Sequence, residues 1–226
     1  MNLLGIGLYT PAEAARITGT KPREVSRWLF GYKDNGGDFH SPLWTTQIPI
    51  DGKIVGQKVI GFRDLMELRI IKEFTKHGVS LRTIRAALES ASQIFGTPYP
   101  FTAHRFLTDG ESIFIEAVES DPTLTDLIKR QLVFDEIIRP SLYEGIEFSS
   151  TGEAVRWYPL KRSKSVIVDP EVSFGKPVLS RFGIPTELIK KAVEVEGDTK
   201  LVALQFDIPI AEVNAALKFE QQLLAA

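Results

Sequence analysis

Arg23, Ser26 and Arg27 carry the strongest chemical signal in the chain. Residues three and four apart share one face of a helix, so the trio would present two guanidinium groups and a hydroxyl side by side. An arginine fork matches the O6 and N7 acceptors of guanine, each good pair contributing ~1–3 kcal/mol of base discrimination. Around the trio, Lys21, Arg16, Tyr32 and Lys33 are spaced to meet phosphate and set register. Lys53 and Lys58 fall where a wing would reach a neighbouring phosphate or the minor groove. Two basic residues on an exposed helix also make an ordinary solvated face, with Glu24 pairing to a basic neighbour. The elements around them decide the matter in favour of DNA contact.

Other chemistries have little to work with. His40, His77 and His104 stand alone, without metal-ligand spacing. The chain has no cysteine, which removes disulfides, thiolate metal sites and cysteine nucleophiles and fits a reducing compartment. Acidic residues are scattered, with no motif placing two as a hydrolytic pair. Phe174-Gly175-Lys176-Pro177 is no phosphate loop, since one glycine precedes the lysine and proline follows it. Neither enzymatic activity nor a cofactor or metal is expected.

The elements that must position the arginines start with sharp signals. Thr10 reads as an N-cap, Pro11 as N1 and Glu13 as the partner in a capping box, and Gly19 stops the helix after about two turns. Pro22 opens a second helix with Val25, Trp28 and Leu29 facing inward, so the two helices form a helix-turn-helix. Gly36-Gly37 marks a loop, and Asp51-Gly52 predicts a hairpin between Trp44–Ile48 and Lys53–Val55, in the position of a wing. A helix follows over Phe62–His77 with Leu65, Met66, Leu68, Ile71 and Phe74 on its apolar face. Ser80 caps another helix, which buries Ile84, Ala87, Leu88 and Ala91.

Farther on, Phe101–Leu107 and Ser112–Ala117 read as a hairpin over Asp109-Gly110, followed by a helix over Leu124–Leu142. A short strand pair is expected around Ile146–Phe148 and Val155–Tyr158. Val166–Val168 reads as a strand, and three helices follow: one ending at Gly197, the short Leu201–Phe206, and one starting at Pro209. Trp28, Trp44 and Trp157 are expected in the core or between modules. The last two helices could pass for a second helix-turn-helix, but the second carries almost no positive charge, which points to protein contact.

Charge distribution agrees with a nucleic-acid-facing first part. The net charge is −2, yet residues 1–90 hold 13 Lys and Arg against 9 Asp and Glu, while the remainder holds 14 against 20. No apolar run approaches the ~20 residues that span a bilayer. The N-terminal stretch lacks the basic region of a signal peptide, so a cytoplasmic protein is expected.

Tyr9-Thr-Pro-Ala-Glu-Ala-Ala-Arg-Ile-Thr-Gly19, the wing, Phe62-Arg-Asp-Leu65 and Gly78-Val-Ser-Leu-Arg-Thr-Ile-Arg85 resemble a MerR-type winged helix-turn-helix. Val168-Asp-Pro-Glu171, Gly175-Lys-Pro-Val178 and Arg181-Phe-Gly-Ile-Pro-Thr186 resemble the small domain of unknown function in VapB-type antitoxins. With Pro42-Leu-Trp44, Thr108-Asp-Gly110 and Trp157-Tyr-Pro159, the resemblance to long VapB-like antitoxins of VapBC toxin–antitoxin modules covers nearly the whole chain. It implies a PIN-like ribonuclease toxin as partner, operator double-stranded DNA upstream of the operon, autorepression, and a homodimer. Two departures matter. Ser26-Arg27-Trp28-Leu29 stands where MerR regulators usually carry Arg-Tyr, so the operator is not inherited. Neither the long coiled-coil dimer helix nor the cysteines of the effector-sensing members are visible.

The expectation is therefore an α+β protein with a winged helix-turn-helix over 1–95, a connecting hairpin and helix over 96–160, and a three-helix module over 161–226. In that last module, Phe174, Arg181, Ile184, Val213, Leu217 and Phe219 are the candidate partner or dimer contacts. The alternative is a MerR-like regulator without a toxin, its middle segment binding a small molecule or only mediating dimerisation. A further rival is an interaction protein whose helix-turn-helix no longer binds DNA.

Overall fold

A computed structural model describes residues 4–49, 57–104, 106, 112, 143–160 and 163–225. The chain is α+β. Helix α1 (Pro11–Thr18) begins where the Thr10 hydroxyl accepts the Glu13 N–H at 3.2 Å and Glu13 accepts the Thr10 N–H at 2.8 Å. Both orphan donors at the helix start are thereby satisfied. Gly19, left-handed at φ 66°, ends the helix. Helix α2 (Pro22–Phe30) buries Val25, Trp28, Leu29 and Phe30 against α1 and ends at Gly31.

Strands β1 (Tyr32–Lys33) and β2 (Phe39–His40) form an antiparallel hairpin directly after α2, pairing Tyr32 with His40 and Lys33 with Phe39. The expected strand over Trp44–Ile48 is not formed, although its proposed partner and turn, 51–55, lie outside the described residues. Asp64 takes the donors of this stretch instead. Its carboxylate accepts the Trp44 indole N–H at 2.9 Å and the Gln47 backbone N–H at 3.0 Å, holding the segment irregular.

Helix α3 (Phe62–Lys76) is the centre of the larger core, with Leu65, Met66, Leu68, Ile70, Ile71 and Phe74 all buried. Helix α4 (Leu81–Phe95) starts at the Ser80 cap, stops at Gly96, and buries Ile84, Ala87, Leu88 and Ala91. The middle segment joins this core through Phe101, whose ring lies 5.3 Å from Phe74 and 4.7 Å from Phe106. Phe101–His104 is a turn rather than the start of a strand, and the rest of the expected hairpin and helix, 107–142, lies almost wholly outside the described residues. Strands β3 (Ile146–Phe148) and β4 (Ala154–Trp157) pair antiparallel with a bulge at Glu147/Phe148. Trp28, Trp44 and Trp157 are buried in this one apolar cluster.

Strand β5 (Val166–Ile167) pairs with β6 (Val178–Leu179) and leads to helices α5 (Thr186–Glu196), α6 (Thr199–Gln205) and α7 (Ile210–Ala225). These elements close a second core of Leu160, Val166, Leu179, Ile189, Val202, Ile208, Val213, Ala216 and Phe219. The second core is stitched to the first by reciprocal Trp157–Val168 backbone bonds of 3.0 and 2.8 Å. It also docks on α1. The Tyr9 hydroxyl donates to the Gly175 carbonyl at 2.7 Å, and the Leu8 N–H to the Phe174 carbonyl at 2.9 Å. Gly175, at φ 84°, is required there, because a Cβ would stand 2.1 Å from the Tyr9 hydroxyl. Among the described residues no helix is long and apolar enough to cross a membrane.

Candidate nucleic-acid interface

With Val25, Trp28 and Leu29 turned into the core, α2 has one face left for solvent. That face carries Arg23, exposed, and Ser26 and Arg27, half-buried, with exposed Lys21 at the N-cap. Glu24 does not neutralise them: its carboxylate accepts the Lys21 backbone N–H at 3.4 Å, closing the first turn. Burial of one stripe thus fixes which residues the opposite stripe offers.

Aromatic rings meet two of the cations. The Arg27 guanidinium lies 3.7 Å over the centre of the Tyr32 ring, and the Lys58 ammonium 4.5 Å over that of Phe30. Tyr32 is stacked on its other side by His40, at 4.6 Å between centres and 12° between planes. His40 Nε2 is 2.9 Å from Asp34 Oδ2, a bond that holds the Asp34 carboxyl below its ordinary value. Lys33 is exposed on β1. The loop after the hairpin is pinned by Arg85 of α4, which donates to the carbonyls of Ser41 and Pro42 at 2.9 Å each.

Arg16 is drawn elsewhere. Its Nη1 lies 3.0 Å from Glu220 Oε2 on α7, and its Nη2 3.9 Å from Glu187 on α5. Glu220 is buried and also accepts the Thr186 hydroxyl at 2.6 Å. A phosphate would have to compete with this pair. Lys53 lies outside the described residues.

The candidate partner contacts of the last module divide in two. Val213 and Phe219 are 0% and 2% exposed in the second core, so they are not surface contacts. Helix α7 buries that stripe against α5 and α6. Ile184 and Leu217 are half-buried against the same core, while Phe174 and Arg181 are exposed. Phe174 is held at φ 55°, an uncommon conformation for a bulky side chain.

Two buried acids of α3 are structural. Asp64 accepts N–H groups from Gly61, Gln47 and Trp44, yet burial raises its pKa to about 6. Burial likewise raises Glu67 to about 8. Its Oε1 accepts the Thr102 N–H at 3.0 Å and hydroxyl at 3.1 Å, and its Oε2 meets no hydrogen-bond partner at bonding distance among the described residues. Among the described residues no group of three or more His, Asp or Glu is placed to hold a metal. Sequence reasoning missed His40 and Asp34. The signal was present in Asp34-Asn-Gly-Gly-Asp38, a turn-forming run between two aromatic residues.

No protein-family model and no curated protein matches this chain. A solved structure does. The X-ray crystal structure of Rv2018 from Mycobacterium tuberculosis superposes with a TM-score of 0.74 at 21% identity, covering 96% of this chain and 99% of that one. At that identity the likeness shows the fold, over essentially the full length of both chains.

Proposed function

We propose that this chain is a cytoplasmic DNA-binding repressor of the antitoxin type, reading operator DNA with α2 and engaging a protein partner through its C-terminal module. The observation that carries the DNA reading is the outward face of α2, where exposed Arg23 and half-buried Ser26 and Arg27 lie opposite a buried Val25–Trp28–Leu29 stripe. In a helix-turn-helix this is the face that enters the major groove. The partner reading rests on the resemblance of residues 168–186 to the VapB-associated domain, and the partner it implies is a PIN-like ribonuclease toxin. Exposed Phe174 and Arg181 are the contacts retained for it. A two-fold dimer would set two α2 helices at half-sites one or more helical turns apart.

Electrophoretic shift or fluorescence anisotropy on DNA upstream of the chain's own gene tests the first part. Arg23→Ala and Arg27→Ala should each weaken binding by about 5- to 150-fold, the equivalent of ~1–3 kcal/mol, with thermal stability nearly unchanged. Affinity should also fall steeply with salt, as phosphate neutralisation requires. Unchanged affinity in both variants removes α2 as the reader. Co-purification from the native locus with flanking genes intact tests the second part: a stoichiometric neighbouring-gene product supports the antitoxin reading.

One observation favours a second reading, a regulator with a small-molecule effector and no toxin. A cavity of about 350 Å3 opens between α3, α4 and the β3–β4 turn, lined by Arg63, Tyr99, Thr102, His104 and Glu153. That volume lies in the range of small-ligand sites. A homodimer that purifies without a protein partner and releases DNA on addition of a metabolite extract would favour it.

A further inference from the structure

We infer that Tyr32 and His40 form a platform that aims Arg27 at a guanine, making the β1–β2 hairpin part of the DNA-reading surface and Tyr32 a specificity-determining positioning residue. The inference rests on the reading of α2 as the DNA reader. The platform is a consequence of backbone geometry. Tyr32 and His40 are direct cross-strand partners, which brings their side chains onto one face within stacking distance. Asp34 locks the turn from inside, its Oδ1 accepting the N–H groups of Gly36 and Asp38 at 2.9 and 3.0 Å and its Oδ2 holding His40.

The hairpin is in turn fixed to the end of α2. The Gly31 N–H bonds the Arg27 carbonyl at 3.1 Å, and Gly31 lies so close to β2 that a Cβ would fall 2.6 Å from the His40 carbonyl oxygen. Arg27 therefore sits one turn above a rigid aromatic pair, with its guanidinium 3.7 Å from the Tyr32 ring centre.

Stacking engages the flat face of a guanidinium and leaves its in-plane N–H donors open, and those donors form the fork that guanine accepts. A long side chain ordinarily surrenders rotamer freedom on docking, and a preformed stack removes much of that loss. Arg23, exposed on the first turn of α2, has no such platform among the described residues. Of the two arginines, Arg27 is thus the one prepared to discriminate bases. Tyr32, expected from sequence to touch phosphate, acts through Arg27.

The test uses the full chain. Bound duplexes are selected from a random-sequence pool, and each base pair of the selected site is then substituted in quantitative competition. Arg27→Ala should abolish preference at one G·C pair per half-site, a loss of about 5- to 150-fold. Tyr32→Ala should erode preference at that same pair by about 2- to 5-fold, the size of an exposed cation–π contact. Its salt slope should not change, because tyrosine neutralises no phosphate. Tyr32→Phe, which keeps the ring, should restore the preference. Should Tyr32→Ala fail to fold, His40→Ala strips only the far side of the stack and should give a smaller loss at the same pair.

Three results would overturn the inference while leaving α2 as the reader: an even loss across all base pairs, a flattened salt slope, or tighter binding when the ring is removed. Failure of the wild-type chain to select any sequence would overturn both.

Discussion

Replacing Glu67 by glutamine should shift stability progressively in the variant's favour as pH rises. In the unfolded chain this carboxyl ionises near 4.5, whereas burial holds it neutral up to about 8 in the folded state. Between those values the unfolded state has lost a proton that the folded state keeps, so the unfolded state is favoured as pH rises. The contribution of Glu67 to stability is complete below pH 4.5, erodes through the interval to pH 8, and is constant above it. At ~1.4 kcal/mol per pH unit, wild type gives up about 3 kcal/mol by pH 7 and about 4 kcal/mol between pH 4 and 8.5. Glutamine keeps the carbonyl oxygen that accepts both Thr102 donors and does not titrate. How well its amide fits adds an offset that does not vary with pH, because the amide does not titrate. The measurement is urea unfolding of wild type and Glu67→Gln at pH 4.5, 7 and 8.5, taking the difference at each pH so that other titrating groups largely cancel. The midpoint difference should widen steadily in favour of the variant. A difference that stays flat from pH 4.5 to 8.5 would show that the carboxyl ionises in the folded state, and the burial argument would fail.

Three further outcomes follow from neighbouring geometry. Asp64→Asn should destabilise by about 2–3 kcal/mol at pH 7, since an amide sets donors against the Gly61, Gln47 and Trp44 N–H groups that the carboxylate accepts. Thermal denaturation would register this as a loss of roughly 4–12 °C, and an unchanged Tm would remove Asp64 as an acceptor hub. Gly175→Ala should cost at least ~2 kcal/mol, from a Cβ 2.1 Å from the Tyr9 hydroxyl at φ 84°; Gly183→Ala, equally left-handed but open around it, is the control that isolates the clash. Glu220→Ala should cost about 1–2 kcal/mol by removing the short bonds from the Thr186 hydroxyl and the Arg16 guanidinium. It should also raise hydrogen exchange in α1, where an unaltered α1 would show that the docking does not depend on this residue.

Local chemistry was legible where a residue's role is set by its own neighbours in sequence. Thr10, Pro11, Glu13 and Gly19 bracket α1, and Ser80 opens α4, because caps satisfy donors within one turn. The outward arginines of α2 followed from the inward spacing of Val25, Trp28 and Leu29. The hairpin of β1 and β2 escaped because two-residue strands have no alternation to detect. Trp44–Ile48 looked like a strand because its residue types favour one, yet an acid 17 residues downstream claims the Gln47 N–H. Nothing in the residue types of Asp64 and Glu67 marks them as buried, but α3 is enclosed on nearly all sides, and only tertiary neighbours reveal that. Val213 and Phe219 could face either a partner or their own module, and the packing of α7 decided for the module.

The pairing of Arg16 with Glu220 joins residues 204 positions apart. During synthesis at ~5–20 residues per second, α1 would be made about 10–40 s before the carboxylate that completes its docking exists. Through that interval the helix-turn-helix can gather its local contacts while Arg16 and Tyr9 stay uncovered. A nascent chain therefore presents a basic helix pair before it presents the surface that closes over α1, and its last helix acts as the latch on its first.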